Sequence, residues 1–304
     1  MDYITVKEVA EKWGISERRV RALCSNDQIV GAKKQGKIYL IPKEAKKPKD
    51  GRRKVINSKY IEIFDKIDEL LKSVNDKRPF TQRELEKINE EFLIDFTYNS
   101  NAIEGNTLNL KETALVLEGS TIDSKPLKDH LKIAGYRDAF LYVDEIAKSS
   151  TKFDDKTINQ VHALVIMSRL DNKIKYRDVS ATITGTFKEM TEPSLIADSM
   201  KKMLKSNETR KKGLHAIERI VWFHLAFEGI HPYVDGNGRT GRLLMNLDLM
   251  QNGYPPINIK IKDKKRYYSA FEKYLENDDI NDMVTLVCEC IEERLNYYLK
   301  ILNT

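Results

Sequence analysis

Residues 231 to 242 read His-Pro-Tyr-Val-Asp-Gly-Asn-Gly-Arg-Thr-Gly-Arg, and these twelve positions hold the parts for transfer from a nucleoside triphosphate. His231 can take a proton from an attacking hydroxyl, because imidazole titrates near neutrality. Asp235 offers a carboxylate to Mg²⁺. Gly236, Asn237 and Gly238 form a turn whose backbone N–H groups can face phosphate oxygens, while Arg239 and Arg242 supply cationic forks for the rest of a nucleotide. The other histidines (His130, His162, His215 and His224) have no comparable neighbours and are expected to pack, cap or lie at the surface.

Those residues need a scaffold. From about residue 57 onward the pattern is mainly helical, and an all-α bundle of about eight helices is expected. Ile61, Ile63, Phe64, Ile67, Leu70 and Leu71 fit one amphipathic helix, residues 82–99 fit another, and the Gly-Asn-Gly turn opens a helix running through Leu243–Leu247. The stretch Thr182-Ile-Thr-Gly-Thr-Phe-Lys188, between Arg177 and Pro193, is instead β-prone and reads as a hairpin.

The first 54 residues differ in character. They carry fifteen Lys and Arg against seven Asp and Glu, a net +8, while the remainder is at −2. Thr5 can cap a helix with apolar residues at Val6, Val9, Ala10 and Trp13. Gly14-Ile15 then turns the chain, Ser16 caps a second helix over 17–23, and Ile38–Ile41 reads as a strand. Two short helices around a glycine turn make a helix-turn-helix. Lys46 to Lys54 has two breakers and no apolar residue, as a linker has. The expected domains are 1–46, a linker at 47–56, and 57–304.

The run from His231 to Arg242 closely resembles the signature of the Fic family, His-x-Phe-x-Asp/Glu-Gly-Asn-Gly-Arg-x-x-Arg, with Tyr233 in the aromatic position. The resemblance extends over roughly residues 90–285. It implies a Fic-type helical bundle, with a catalytic core at about 125–285 and the β-prone stretch (Thr184, Gly185, Thr186 and Phe187) as a flap that aligns a target segment. It also implies His231 as general base, Asp235 as Mg²⁺ ligand, and Gly236, Asn237, Gly238, Arg239 and Arg242 around the phosphates of ATP. Tyr267 and Tyr268 fall where the family places adenosine-contacting tyrosines. Glycine at 238, where kinase-like Doc members carry lysine, implies transfer of AMP to a Ser, Thr or Tyr hydroxyl of a protein.

Ser100-Asn-Ala-Ile-Glu104-Gly-Asn resembles the family's inhibitory pattern, in the class whose inhibitory helix (about 90–106) precedes the core. The resemblance implies that Glu104 pairs with Arg242 and displaces the γ-phosphate. Some members use this glutamate to remove AMP from a target, so a de-adenylylating enzyme is the alternative. The N-terminal segment resembles the winged helix-turn-helix of excisionase-like and MerR-like regulators. That places Arg18, Arg19 and Arg21 on the recognition helix and Lys33, Lys34 and Lys37 at the wing, with DNA as partner. A regulator whose Fic fold senses nucleotide is a further alternative, and homodimers are frequent among similar proteins.

Composition narrows the setting. There is no apolar run of eighteen residues, and the opening Met-Asp-Tyr-Ile-Thr-Val-Lys-Glu lacks a signal pattern, so a soluble cytoplasmic protein is expected. Three cysteines make no disulfide framework, and the Cys288/Cys290 spacing makes no zinc site.

Overall fold

A computed structural model describes residues 3–13, 20, 24, 29, 31–35, 38–45, 60–149, 151–167, 175–181 and 190–303. The chain forms two compact units, Met1–Val55 and Ile56–Thr304.

In the first unit, β1 (Tyr3–Thr5) leads into α1 (Val6–Trp13), followed by β2 (Lys33–Gln35) and β3 (Ile38–Pro42). The strands form an antiparallel sheet in the order β1-β3-β2, with Lys34 opposite Tyr39 and Ile4 opposite Ile41. Thr5 starts α1 as its capping pattern requires: its N–H and hydroxyl donate to Glu8 Oε2 at 2.7 Å. Val6, Val9 and Ala10 then meet Val20, Cys24, Ile29 and Ile41 in one apolar cluster. The strand β1 has no clear sequence signal, being only three residues long. Arg18, Arg19, Arg21 and Lys37, the expected second helix over 17–23 apart from Val20, and the linker at 47–56 lie outside the described residues.

The second unit contains ten α-helices among the described residues, where about eight were expected. They are α2 (Ile61–Asn75), α3 (Gln82–Ile103), α4 (Leu110–Leu117), α5 (Leu127–Ala147), α6 (Asp155–Val165), α7 (Ile196–Arg210), α8 (Ala216–Ile230), α9 (Asn237–Gln251), α10 (Lys264–Asn277) and α11 (Asn281–Leu302). The surplus comes from short helices with strong local start signals. Asn109 and Glu112 form a reciprocal capping box on the eight-residue α4, at 2.7 and 3.0 Å, and Asp154 caps α6 through Thr157 N–H at 3.0 Å.

Two apolar clusters flank α8 and α9. Ile217, Val221 and Leu225 of α8 and Met245 and Leu249 of α9 belong to one. Phe223, Phe227, Leu243, Leu244 and Leu247 belong to the other. A helix apolar on two sides must be internal, and these two are. Arg219 on α8 donates to both carboxylate oxygens of Asp248 on α9, at 2.5 and 2.8 Å, with both side chains buried. This salt bridge ties the first turn of α8 to the last turn of α9, and at the other ends of the two helices the loop between them is residues 231–236.

Candidate active site

His231 ends α8 in the left-handed conformation, φ 50° and ψ 61°. This turns the chain sharply, and Gly236 repeats the device at φ 82° just before α9. No side chain caps the start of α9, so its first-turn N–H groups and partial positive charge are left for an anion. Between the two turns Asn237 staples the loop: it accepts from Tyr233 N–H at 2.9 Å and donates to Tyr233 carbonyl at 2.7 Å. Tyr233 stacks on His162, with ring centroids 3.6 Å apart, and its hydroxyl reaches Asn159 at 2.7 Å. His162 in turn holds Thr240 of α9 at 3.1 Å.

Arg177, buried to 3% exposure, braces the backbone of His231. Its Nε donates to the His231 carbonyl at 2.8 Å and its Nη1 to Val179 carbonyl at 2.8 Å; Nη2 donates to Thr191 carbonyl. Burial, with Arg177 nearby, pulls the His231 imidazole down to about 4 against the opposing influence of Glu104 and Asp235. The ring is thus neutral near pH 7 and able to accept a proton.

Asp235 is the exposed carboxylate of the loop, its side chain 66% accessible. Burial of the group works against its charge, but Arg239 at 3.4 Å and Lys132 at 3.8 Å hold it below the ordinary carboxylate value. Arg239 itself is buried and donates to Val165 carbonyl at 3.3 Å. One accessible carboxylate beside an anion-ready helix start suits Mg²⁺, which commonly takes one protein ligand and completes its shell with phosphate and water. Among the described residues no group of three His, Cys, Asp or Glu could hold a metal by itself.

Arg242 is 1% exposed. Its Nε donates to Ser100 Oγ, and its Nη2 donates to both Ser100 carbonyl and Glu104 Oε1, each at 2.8 Å. Burial alone would weaken its charge; Glu104 outweighs that and keeps it protonated. Nη1 is buried with no partner, an orphan donor of the kind that a phosphate oxygen would satisfy. A Cβ on Gly238 would lie 2.3 Å from Glu104 Oε1, so Glu104 fills the space directly over the Gly-Asn-Gly turn.

The inhibitory helix expected at about 90–106 is the second part of a longer helix, α3, which starts at Gln82 and ends at Ile103. Thr81 and Glu84 form a capping box that sets its start. Its end is Ile103, with Glu104 as C-cap and Gly105 at φ 84° leading the chain away. The following turn is fastened by Asp129, whose Oδ2 accepts from Thr107 N–H at 3.1 Å and Thr107 hydroxyl at 2.7 Å.

The structure therefore gathers His231, Asp235, Gly236, Asn237, Gly238, Arg239, Arg242, Ser100 and Glu104 in one place. Tyr267 and Tyr268 line a small cavity with Glu104, His231 and Gly238, but Tyr267 is buried and bonded to His224 at 2.8 Å. Thr184, Gly185, Thr186 and Phe187 lie outside the described residues. Sequence reasoning missed Arg177, Lys132, Asn159, Glu228 and the roles of His162 and His224 around the site. Only the Phe-Glu-Gly-Ile-His run hinted at Glu228, as an acid one helical turn before the base. The remaining histidines do pack or cap: His215 accepts from Ile217 N–H at 3.2 Å, and His130 from Ile122 N–H at 2.9 Å.

A model of the Fic/DOC family matches residues 152–249. The chain carries a Fic/DOC domain. It is 32% identical over 250 residues to a protein adenylyltransferase Fic of Nematostella vectensis, covering 78% of this chain and 56% of that one. With the Drosophila persimilis protein of the same name it shares 29% over 249 residues, covering 78% and 48%. The chain thus spans about half the length of the curated relatives it matches. Among solved structures, a Fic-domain signaling protein from Bacteroides thetaiotaomicron superposes with a TM-score of 0.70 at 25% identity, over 79% of this chain and 98% of that one. Fic-1 from C. elegans, at 24% identity and a TM-score of 0.66 over 79% and 71%, shares the fold. The residues that the family model matches hold α6, α7, α8 and all but the last two residues of α9. Among the described residues no helix is long and apolar enough to cross a membrane.

Proposed function

We propose that the protein is a self-inhibited protein adenylyltransferase that transfers AMP from ATP to a Ser, Thr or Tyr hydroxyl of a protein target. One observation carries this reading: Arg242, a buried cation with an unpartnered Nη1, stands beside the Gly-Asn-Gly turn, and Glu104 occupies the space next to it. The site has its phosphate-binding parts and a carboxylate where a phosphate would lie. The adenylyltransferase names of the relatives support the choice of nucleotide and reaction.

In this mechanism the target hydroxyl oxygen bonds to the α-phosphorus, the bond from that phosphorus to the β-bridging oxygen breaks, and pyrophosphate leaves. His231 takes the hydroxyl proton, for which its neutral ring is suited. The first-turn N–H groups of α9 and the Arg239 and Arg242 guanidinium groups receive the phosphate oxygens. Asp235 is the residue that would hold Mg²⁺; the ion, when bound, neutralises phosphate charge. Glu104 inhibits by holding Arg242 and repelling the γ-phosphate. Its side chain is 31% exposed, so the contact is worth less than the roughly 3–5 kcal/mol lost when a fully buried pair is broken from one side.

The test is transfer of label from α-³²P-ATP with Mg²⁺ by wild type, Glu104→Gly and His231→Ala. Label on protein with Glu104→Gly, little with wild type and none with His231→Ala is expected. Normal ATP binding without label in any variant overturns the transferase reading. The N-terminal unit, in a cytoplasmic setting, binds DNA in this reading, because Lys33 and Lys34 are exposed on the β2–β3 hairpin of a basic segment. A shift of DNA migration that is lost in Lys33→Ala/Lys34→Ala tests it; no shift at low salt refutes it.

A further inference from the structure

Glu228 lies one helical turn before His231 and has no part in the mechanism above. It is 7% exposed, and its Oε1 is buried without a hydrogen-bond partner. The side chain lies in a notch that exists because residue 241 is glycine: a Cβ there would meet Glu228 Oε1 at 2.3 Å and the His224 ring at 3.1 Å. Glu228 also lines, with Glu104, His231, Gly238, Tyr267 and Tyr268, a cavity of about 50 Å³. Arg242 Nη1, also without a partner, lies 3.2 Å from where a Cβ on Gly238, a residue of that cavity's lining, would be. A buried carboxyl on the cavity lining and a buried guanidinium N–H beside Gly238 of that lining are thus each without a partner, while Glu104, on the same lining, holds the guanidinium through Nη2.

We propose that Glu228 is a reserve counter-ion for Arg242, neutral while Glu104 or a phosphate sits on the guanidinium and ionised when neither does. The phosphate half rests on the nucleotide reading above; the Glu104 half does not. Two carboxylates cannot both ionise cheaply beside one buried cation, so the docked Glu104 keeps Glu228 protonated. Burial pushes Glu228 up to about 8, with Arg242 opposing and Glu104 adding to the rise. When Glu104 leaves, Arg242 becomes a buried cation without its anion, a state that strongly favours a new one nearby. Glu228 then releases its proton to water and turns to Nη1. An incoming phosphate reverses the step and returns the proton.

The groups facing Glu228 do not compete for this role. His224 on its own helix is pulled down to about 3 by burial and by Arg242, so it is neutral. Burial holds Tyr267 on α10 well above its ordinary value. Tyr268 is pushed up to about 12 by burial, with Glu104 adding. His231 is neutral at about 4. Arg242 on α9 and Glu104 at the end of α3 are the charges that remain.

The experiment uses the full chain labelled with ¹³C-carboxyl glutamate, with Glu228 assigned as the resonance missing from Glu228→Gln. Glutamine keeps the shape of the neutral acid and leaves the fold in its observed state. The Glu228 midpoint is expected to fall by at least about one pH unit, a tenfold weaker hold on the proton, from wild type to Glu104→Gly. Equal midpoints would overturn the proposal without touching the nucleotide reading. Calorimetry at pH 7.5 to 8, in buffers of different ionisation enthalpy, then follows a non-hydrolysable ATP analogue with Mg²⁺. Glu104→Gly is expected to take up a proton on binding, and Glu104→Gly/Glu228→Gln to bind without uptake. Equal uptake by both would overturn the phosphate half. Absence of binding by Glu104→Gly would overturn the nucleotide reading and that half together, leaving the midpoint shift to decide the other.

Discussion

The two faces of the active site are held by different means. On one face the loop 231–238 is braced from several directions: Asn237 exchanges hydrogen bonds with Tyr233, His162 joins Tyr233 to Thr240, and Arg177 holds the His231 carbonyl. On the other face Glu104 stands at the end of α3, with Gly105 turning away and a third of its side chain exposed. Its backbone surroundings are fastened through Asp129, but its carboxylate is held by Arg242. Under the proposed function the difference separates the part that stays from the part that leaves. A site that orients phosphate must not move during the reaction, whereas an inhibitor that can be relieved needs a contact small enough to lose.

The largest effect that would test this contrast is loss of the base. In the Glu104→Gly background, His231→Ala is expected to lower label transfer by at least about 10³-fold while leaving nucleotide affinity within a few-fold, since the ring acts in proton transfer. Opening the other face comes next. Glu104→Gly is expected to raise transfer by about 100-fold, equivalent to about 2.7 kcal/mol, and Ser100→Ala by less, because Ser100 Oγ is one of three acceptors on Arg242. A Ser100→Ala enzyme as active as Glu104→Gly would show that the two faces share their rigidity.

Smaller effects probe the braced face. Asn237→Ala leaves a buried N–H and carbonyl of Tyr233 unpaired, and is expected to lower Tm by several degrees, about 2–3 kcal/mol. A change below one degree in a thermal melt would mean that the staple is dispensable. Between pH 7.5 and 6, the Glu104→Gly enzyme should keep its transfer rate within about twofold. A histidine of ordinary value would lose about fourfold over this range, but His231 is held at about 4 and removal of Glu104 lowers it further. Tyr233→Phe removes the hydroxyl bonded to Asn159, and about 1 kcal/mol or less is expected in denaturant unfolding.

The same contrast governs what could be read from the sequence. The loop was legible because its chemistry is concentrated in consecutive residues, and Ser100 and Glu104 because they form a second local pattern. Helices α2 and α3 followed from apolar spacing, although the end of α3 depended on Gly105 adopting a positive φ, which spacing does not report. Arg177 and His224 were not legible, and Glu228 had only its place one turn before His231 to hint at it. Each is a single polar residue with no local pattern, and its meaning comes from tertiary neighbours tens of residues away. Tyr267 illustrates the middle case: its position matched, but its burial against His224 and Arg242 comes from the packing of α10 on α8.

The backbone of His231 has a consequence for how this protein fails. A left-handed residue with a Cβ carries conformational strain of about 1 kcal/mol, which glycine would not. The position best suited to the imidazole is therefore one where the chain itself favours glycine. His231→Gly should melt no lower than wild type, and an inactive enzyme of this kind would escape the proteolysis that removes unstable variants. In the proposed function, selection guards this residue through the reaction, because quality control of folding gives it no protection.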